Sequence, residues 1–441
     1  SWYRGVDGWR QERCGLMLPI PKRGTCVRIV NNHPIELLAP AGCYPSLQAA
    51  IDVGADAVYF GLAQLNMRAR ARRSFEGGDL HEIMSRLHSA GRKGYLTLNT
   101  LIYDHDVRLM NELMDEAVKE KVDAVIVADV AAVMAARERG LEVHISTQLS
   151  VSNYPAVVFF SQWADRIVLA RELTLGAIQR IHNKIAENDL RGPSGRLIEL
   201  EAFAHGAQCV AVSGRCSMSI HTANASANRG ACEQNCRKEY TITDRETGKA
   251  LVVDNNYIMS PTDLCTIGFL DQVIAAGITV LKLEGRARSP EYVHSVVDAY
   301  RQCVDAIADG SYGPDLVERL MPQLSEVYNR GMGSGFYFGR DQSWSGTGGS
   351  KASHRKELVG PIVKYYSKPG VVVARVDASG LNDGETYLII GPTTGVLKGT
   401  VDNLHVEGQP NPHGTKGTEI SFKVPDRVRL SDRLFKMVPV S

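Results

Sequence analysis

Residues 35–60 read IELLAPAGCYPSLQAAIDVGADAVYF. A short apolar run at 35–39 is followed by a helical pattern over 44–53, a stop at Gly54 and a second apolar run at 57–60. This is one strand–helix–strand unit, and the pattern recurs downstream. Further runs lie at 94–98, 124–128, 143–146, 166–170, 198–203 and 280–283. They are too short for helices and rich in Val, Ile and Leu, as parallel strands buried on both faces are. Helical patterns at 80–90, 107–120 and 130–138 fill the gaps, with stops at Gly91 and Gly140. Eight strands with intervening helices predict an α/β fold, a closed parallel βα barrel of the TIM type. An open doubly wound sheet is the alternative, but no Gly-rich dinucleotide turn follows the first strand.

The spacing breaks once. Roughly 75 residues separate the seventh and eighth strands, against roughly 25–35 for an ordinary unit. Four of the nine cysteines fall there: Cys209, Cys216, Cys232 and Cys236. Four thiolates can close around one metal centre, a four-iron four-sulfur cluster or a structural zinc. Zinc ribbons pair two tight Cys knuckles, whereas only Cys232 and Cys236 are close here, so the spacing favours iron–sulfur. Arg215, Arg229, Arg237 and Lys238 surround them; positive charge favours the ligating thiolate. The bland reading is four structural cysteines that happen to cluster. Cys265 is a spare ligand or a buried apolar residue, Cys43 follows the first strand, and Cys14, Cys26 and Cys303 look incidental. Cys209 comes directly after the seventh strand, and these barrels place their chemistry at the C-terminal strand ends.

The whole chain of 441 residues is 44% hydrophobic, with a formal net charge of +1. No global field points to nucleic acid or membrane, so any basic surface is local. The longest apolar stretch, 124–136, contains Asp129 and is too short to span a bilayer. No signal-peptide pattern opens the sequence, and the expected compartment is the cytoplasm, where clustered cysteines mean metal or catalysis rather than disulfides. The expected organisation is an N-terminal extension (1–33), a βα-barrel catalytic domain (34–340) with a cysteine-rich insertion (207–260), a Gly/Ser linker (341–356) and a small C-terminal all-β barrel domain (357–441). The last rests on alternating runs at 361–366, 371–376, 386–390, 419–424 and 433–438, separated by turns such as Asn382-Asp383-Gly384.

Other candidates follow from the strand ends. Arg68, Arg70, Arg72 and Arg73 come after the second strand and can grip phosphates or carboxylates through bidentate hydrogen bonds; the bland reading is a solvated basic loop. Arg286 and Arg288 extend this surface. His205, Glu201 and Glu284 are the candidate acid–base groups, His205 as a proton shuttle near neutral pH and a buried Glu with raised pKa as its counterpart. For Glu201 the competing reading is an ion pair with Lys282 inside the barrel. Asn99, Asp129, Gln148, Arg171 and Glu172 end strands and are candidates for the pocket wall.

Glu201-Ala-Phe-Ala-His205-Gly-Ala-Gln208-Cys209, followed by Gly214-Arg-Cys216-Ser-Met218-Ser219, closely resembles the defining motif of the collagenase-like peptidase family U32. Gln208 departs from it, where the family has an aliphatic residue. Leu38–Gly42, Ala55–Gly61, Asn66–Arg70 and Lys282–Arg286 resemble further family motifs, and the likeness covers about residues 35 to 340. The resemblance implies oxygen-independent hydroxylation, because members hydroxylate tRNA, a cytidine of ribosomal RNA, or quinone precursors. The Cys-x3-Cys pair and the β domain, which is similar to those of translation factors, point to the branch making wobble 5-hydroxyuridine with prephenate as hydroxyl source. RNA, most closely tRNA, is the implied partner; the electron donor and oligomeric state stay open. A protease, as the family's name says, is the second reading, although no His-Glu-x-x-His or Gly-x-Ser-x-Gly motif is present; a cysteine paired with His205 is its remaining chemistry. A non-catalytic zinc-dependent RNA-binding factor is the third.

Overall fold

All eight apolar runs are strands in the structure, a computed structural model that describes residues 28–30, 33–68, 75–251, 259–339, 343–346 and 349–440. They are β1 (His33–Pro40), β2 (Ala57–Phe60), β3 (Lys93–Leu98), β4 (Ala124–Val127), β5 (Val143–Ile145), β6 (Arg166–Val168), β7 (Glu199–Gly206) and β8 (Val280–Leu283). Each pairs in parallel with the next. Strand β8 also pairs with β1, so the sheet closes into a barrel.

The helices between them are α1 (Tyr44–Asp52), α2 (Leu80–Ser89), α3 (Val107–Lys119), α4 (Val130–Glu138), α5 (Tyr154–Ser161) and α6 (Leu175–Glu187). Their starts are written locally. Asn153 and Thr174 accept hydrogen bonds from the backbone N–H groups of Ala156 and Ala177, satisfying donors that a helix's first turn leaves unpaired. Asp129 does the same for Ala131 at 2.9 Å and also accepts from Ile102 N at 3.0 Å. Its carboxylate is therefore a cap and a loop tie, and it does not line the site cavity as expected.

Between β7 and β8 the insertion holds α7 (Met218–Ala223), the short ribbon Ile242–Thr243 and Ala250–Leu251, and the strand Asp263–Cys265. That strand runs antiparallel to the end of β7, with Leu264 opposite Gly206 and Cys265 opposite His205. Helix α8 (Leu270–Ala275) then leads to β8, and α9 (Pro290–Asp309) and α10 (Pro314–Glu326) follow it.

Leu38, Ala57, Tyr59, Tyr95, Ala124, Ile126 and Val280 form a buried cluster of barrel residues. Toward the N-terminal strand ends the interior is charged. Arg166 donates to Glu36 at 2.7 Å and to Glu199 at 2.9 Å, and Tyr95 donates to Glu36 at 3.0 Å. Glu201 is wholly buried and paired with Lys282, with Arg166 Nη1 3.7 Å from its second oxygen. Charges this deep are tolerated only because they are paired.

Residues 28–355 belong to one compact unit; Lys356–Ile389 and Leu397–Met437 form a second. The C-terminal strands include β9 (His354–Tyr366), β10 (Val371–Arg375), β11 (Thr386–Gly391), β12 (Gly395–Thr400), β13 (Glu419–Lys423) and β14 (Arg433–Pro439). They form an antiparallel sheet in the order β12, β11, β14, β9, β10, β13. Val359, Ile362, Val372, Tyr387, Ile420 and Phe422 are among its core residues. Among the described residues, no helix is long and apolar enough to cross a membrane.

Candidate functional site

A cavity of about 270 Å³ opens at the C-terminal ends of the strands. Tyr59, Thr97, Ile126, Ser146, Phe203 and Lys282 form part of its wall, one each from β2, β3, β4, the end of β5, β7 and β8. Loops after the strands and the cysteine-rich insertion supply the rest of the wall, and Cys209, Cys216, Cys232 and Cys236 all line it.

Cys209, Cys216 and Cys236 are held through their neighbours. Cys209 follows β7 after Gly206, whose φ of +110° and contact with Glu284 leave no room for a Cβ: one built there would stand 2.7 Å from Glu284 Cβ. Cys216 Sγ accepts a hydrogen bond from Met218 N at 3.4 Å. Arg229 donates to both carboxylate oxygens of Asp106, at 2.6 and 3.1 Å, and its guanidinium lies 4.2 Å from the Tyr103 ring centroid. This fork latches the insertion to the segment after β3. Arg237 donates to Gln208 O, Pro261 O and Ser260 Oγ, so the residue after Cys236 is tied to the residue before Cys209.

The four thiols are free and three are half-buried, with Cys232 exposed. Burial pushes the Cys236 thiol up; Arg237 opposes this, and the charges of Cys209, Cys232 and Cys216 reinforce it. The thiols therefore lie within electrostatic reach of one another. Among the described residues, no three His, Cys, Asp or Glu are grouped so as to hold a single metal ion.

Seven cationic side chains line the cavity: Arg68, Arg171, Arg237, Lys282, Arg286, Arg288 and Arg330. Glu284 is the one carboxylate among its described lining residues. Such a concave, cationic wall favours anions. Arg68 Nη2 donates to Glu284 Oε1 at 2.9 Å. Asn66 joins two of the motifs, because its Oδ1 accepts from Arg68 N at 2.9 Å and from Arg286 Nη1 at 3.2 Å. Arg286 also donates to Thr97 Oγ1 at 2.6 Å; burial lowers its pKa to about 10, so it stays charged at neutral pH. Arg171 donates to Ala207 O at 2.7 Å and stacks 3.7 Å from the Phe203 centroid.

The acid–base candidates fare differently. Glu284 is in the cavity, but not with a raised pKa. Burial works to raise it, and Arg68, Arg288 and Arg171 more than offset that, holding the carboxyl at about 2. It is a fixed negative charge. Glu201 and His205 do not line the cavity. Glu201 lies beneath, against Lys282. His205 departs most from expectation. Alternation along β7 would carry Glu201, Phe203 and His205 to one face. A bulge intervenes: Phe203 faces Lys282 across the ladder, but His205 faces Leu283, so one extra residue of β7 reverses the alternation. The imidazole turns toward α9, with Nδ1 3.3 Å from Tyr300 Oη, and burial depresses its pKa to about 3. It is neutral at physiological pH and does not line the cavity, where the proton shuttle was expected.

Asn99, Gln148, Arg171 and Arg286 line the cavity as expected, and Glu172 does not. Arg70, Arg72 and Arg73 lie outside the described residues. Sequence reasoning overlooked Tyr59, Thr97 and Arg330. Tyr59 and Thr97 sat in runs read as core, and alternation within those runs was the available signal. Arg330 comes after α10, outside the repeating units, where no pattern marks it.

Residues 42–346 match the sequence profile of Peptidase family U32. The chain belongs to this family. Its relatives carry two kinds of name. A collagenase of Porphyromonas gingivalis is 45% identical over 408 residues, covering 92% of this chain and 99% of the relative. The tRNA hydroxylation protein P1 of Bacillus subtilis is 32% identical, covering 86% of this chain and 88% of the relative. The 23S rRNA 5-hydroxycytidine synthase of Escherichia coli is 34% identical over 281 residues, covering 64% of this chain and 41% of the relative. The family thus includes RNA-modifying enzymes and proteins named as proteases, and an enzyme is the class this chain falls in.

Proposed function

We propose that this chain carries out oxygen-independent hydroxylation of an RNA base, with a four-iron four-sulfur cluster on Cys209, Cys216, Cys232 and Cys236. The observation that carries the reading is the union in one cavity of four free thiols and seven cations. The donor set fits the cluster. Four cysteine thiols share one wall beside cations that favour their thiolate form, the donor chemistry such a cluster takes. When bound, the cluster would supply one-electron redox chemistry. The chain's own residues do the rest. Arg286, Arg171 and Arg288 bind anionic groups, Asn66 orients Arg68 and Arg286, and Glu284 keeps the cationic wall from being wholly uncompensated.

Wobble uridine of tRNA is the proposed target, 5-hydroxyuridine the product, and prephenate the hydroxyl source. The tRNA-modifying relative, matched along most of both chains, supports this over the ribosomal alternative, matched along less than half of the relative. A reducing cytoplasm is the proposed compartment.

Proteolysis is the second reading, favoured by the 45% identity to a protein named collagenase. The site lends it little, because no histidine is among the described residues lining the cavity and His205 faces elsewhere. A zinc-dependent RNA-binding role without catalysis is the third. The test is tRNA and rRNA from a strain deleted for this gene, digested to nucleosides and read by mass spectrometry. The expected result is missing 5-hydroxyuridine, restored by the wild-type gene and not by Cys209→Ala. Unchanged tRNA with lost 5-hydroxycytidine moves the target to ribosomal RNA. Unchanged RNA with collagen cleavage abolished by Cys209→Ala favours the protease.

A further inference from the structure

Among the seven cations of the cavity wall, Lys282 alone is a primary amine. Its surroundings are those of a held nucleophile. Nζ lies 4.5 Å from the Tyr59 ring centroid and 5.7 Å from that of Phe203, two residues that also line the cavity. On the other side it donates to Glu201 Oε1. Glu201 Oε2 is buried, accepts no hydrogen bond among the described residues and lies 3.7 Å from Arg166 Nη1. The amine thus faces substrate space with a carboxylate oxygen beside it that can take a proton. In the same wall Arg171 donates to Ala207 O and Arg286 to Asn66 Oδ1 and Thr97 Oγ1, and burial pushes the lysine below its ordinary pKa against the pull of Glu201.

We propose that Lys282 captures a carbonyl co-substrate, forming an iminium with the 2-oxo group of a small carboxylate that Arg286 and Arg171 bind. Glu201 Oε1, which already accepts from Nζ, takes a proton from the ammonium, and the freed Nζ lone pair attacks the carbonyl carbon. A C–N bond forms, the C=O π pair moves to oxygen, and that oxygen leaves as water after taking up two protons. The balance is ammonium plus 2-oxo acid giving iminium plus water, with no redox change and no change in charge. The product keeps its positive charge against Glu201, so the pair that holds the resting lysine also holds the adduct. A guanidinium pair beside the amine selects carbonyls that bear a carboxylate.

This deepens the proposed function by fixing how a small co-substrate is held; it needs neither RNA nor turnover to test. Full-length protein, purified anaerobically, is incubated with pyruvate as the probe and reduced with borohydride. Intact mass and peptide mapping follow. The expected result is one reduced pyruvyl group per chain, on the peptide holding Lys282, and none on Lys282→Arg, which keeps the charge facing Glu201. Acetone, lacking the carboxylate, is expected to be trapped about tenfold less or lower still. No adduct, an adduct on another lysine, or equal trapping of acetone overturns the proposal. Should Lys282→Arg fail to fold, the mapped position in the wild type decides. A negative result leaves the tRNA nucleoside test untouched, so the two readings fail separately.

Discussion

Replacing Glu284 with Gln removes the one described carboxylate from a wall of seven cations. The structure sets the size of the effect. A carboxyl that falls from 4.5 to about 2 on folding contributes about 3 kcal/mol at neutral pH. The carboxyl is stabilised in the folded state, so its contribution is full above the unfolded pKa. It is lost as pH falls through the folded value, between about 4.5 and about 2. Urea unfolding of metal-free wild-type and Glu284→Gln proteins therefore shows a gap of about 3 kcal/mol at pH about 7, shrinking to about half that at pH about 3. The variant is also expected to bind inorganic phosphate more tightly, since Arg68, Arg288 and Arg171 lose their common counter-charge. Equal stability at neutral pH, or a gap that widens on acidification, refutes the electrostatic account of the cavity.

Arg229→Ala removes the fork onto Asp106, and the insertion is expected to lose about 1.5–3 kcal/mol of local stability; hydrogen exchange measures it at residues around 216–236. Replacing Arg70, Arg72 and Arg73 together lowers the slope of log affinity against log salt for a single-stranded RNA by about 0.7 for each phosphate left without its arginine, read by fluorescence anisotropy. His205→Gln leaves the pH profile of activity unchanged between about 5 and about 8, because the histidine is neutral throughout that range. The wild type, by contrast, loses stability relative to this variant as pH falls below about 6.5, where the unfolded chain binds a proton that the folded one refuses.

The barrel was legible because a parallel strand buried on both faces leaves an unmistakable mark, a short apolar run between amphipathic stretches. All eight runs, 35–39 to 280–283, became strands. Strand β12 was missed because Gly395-Val-Leu-Lys-Gly-Thr400 has too few alternating residues between its glycines to stand out. At the site, the spacing of Cys209, Cys216, Cys232 and Cys236 put the four thiols in one cavity. What secures them was not readable, since the Arg229–Asp106 fork joins residues 123 positions apart. The misplacement of His205 has a single cause. The Glu-Ala-Phe-Ala-His pattern alternates perfectly in sequence, and only the ladder with β8 reveals the bulge. Glu284 was found at the right place with the wrong charge behaviour, because its pKa is set by arginines from three separate segments, at 68, 171 and 288.

Metal and acid-labile sulfide content, with an absorbance spectrum, of anaerobically purified wild type and Cys232→Ala tests the central claim most directly. The account predicts iron and sulfide at about four each per chain and a broad band near about 400 nm, all lost or sharply reduced in the variant. Zinc at about one per chain, or protein that stays colourless and iron-free after anaerobic reconstitution, contradicts it.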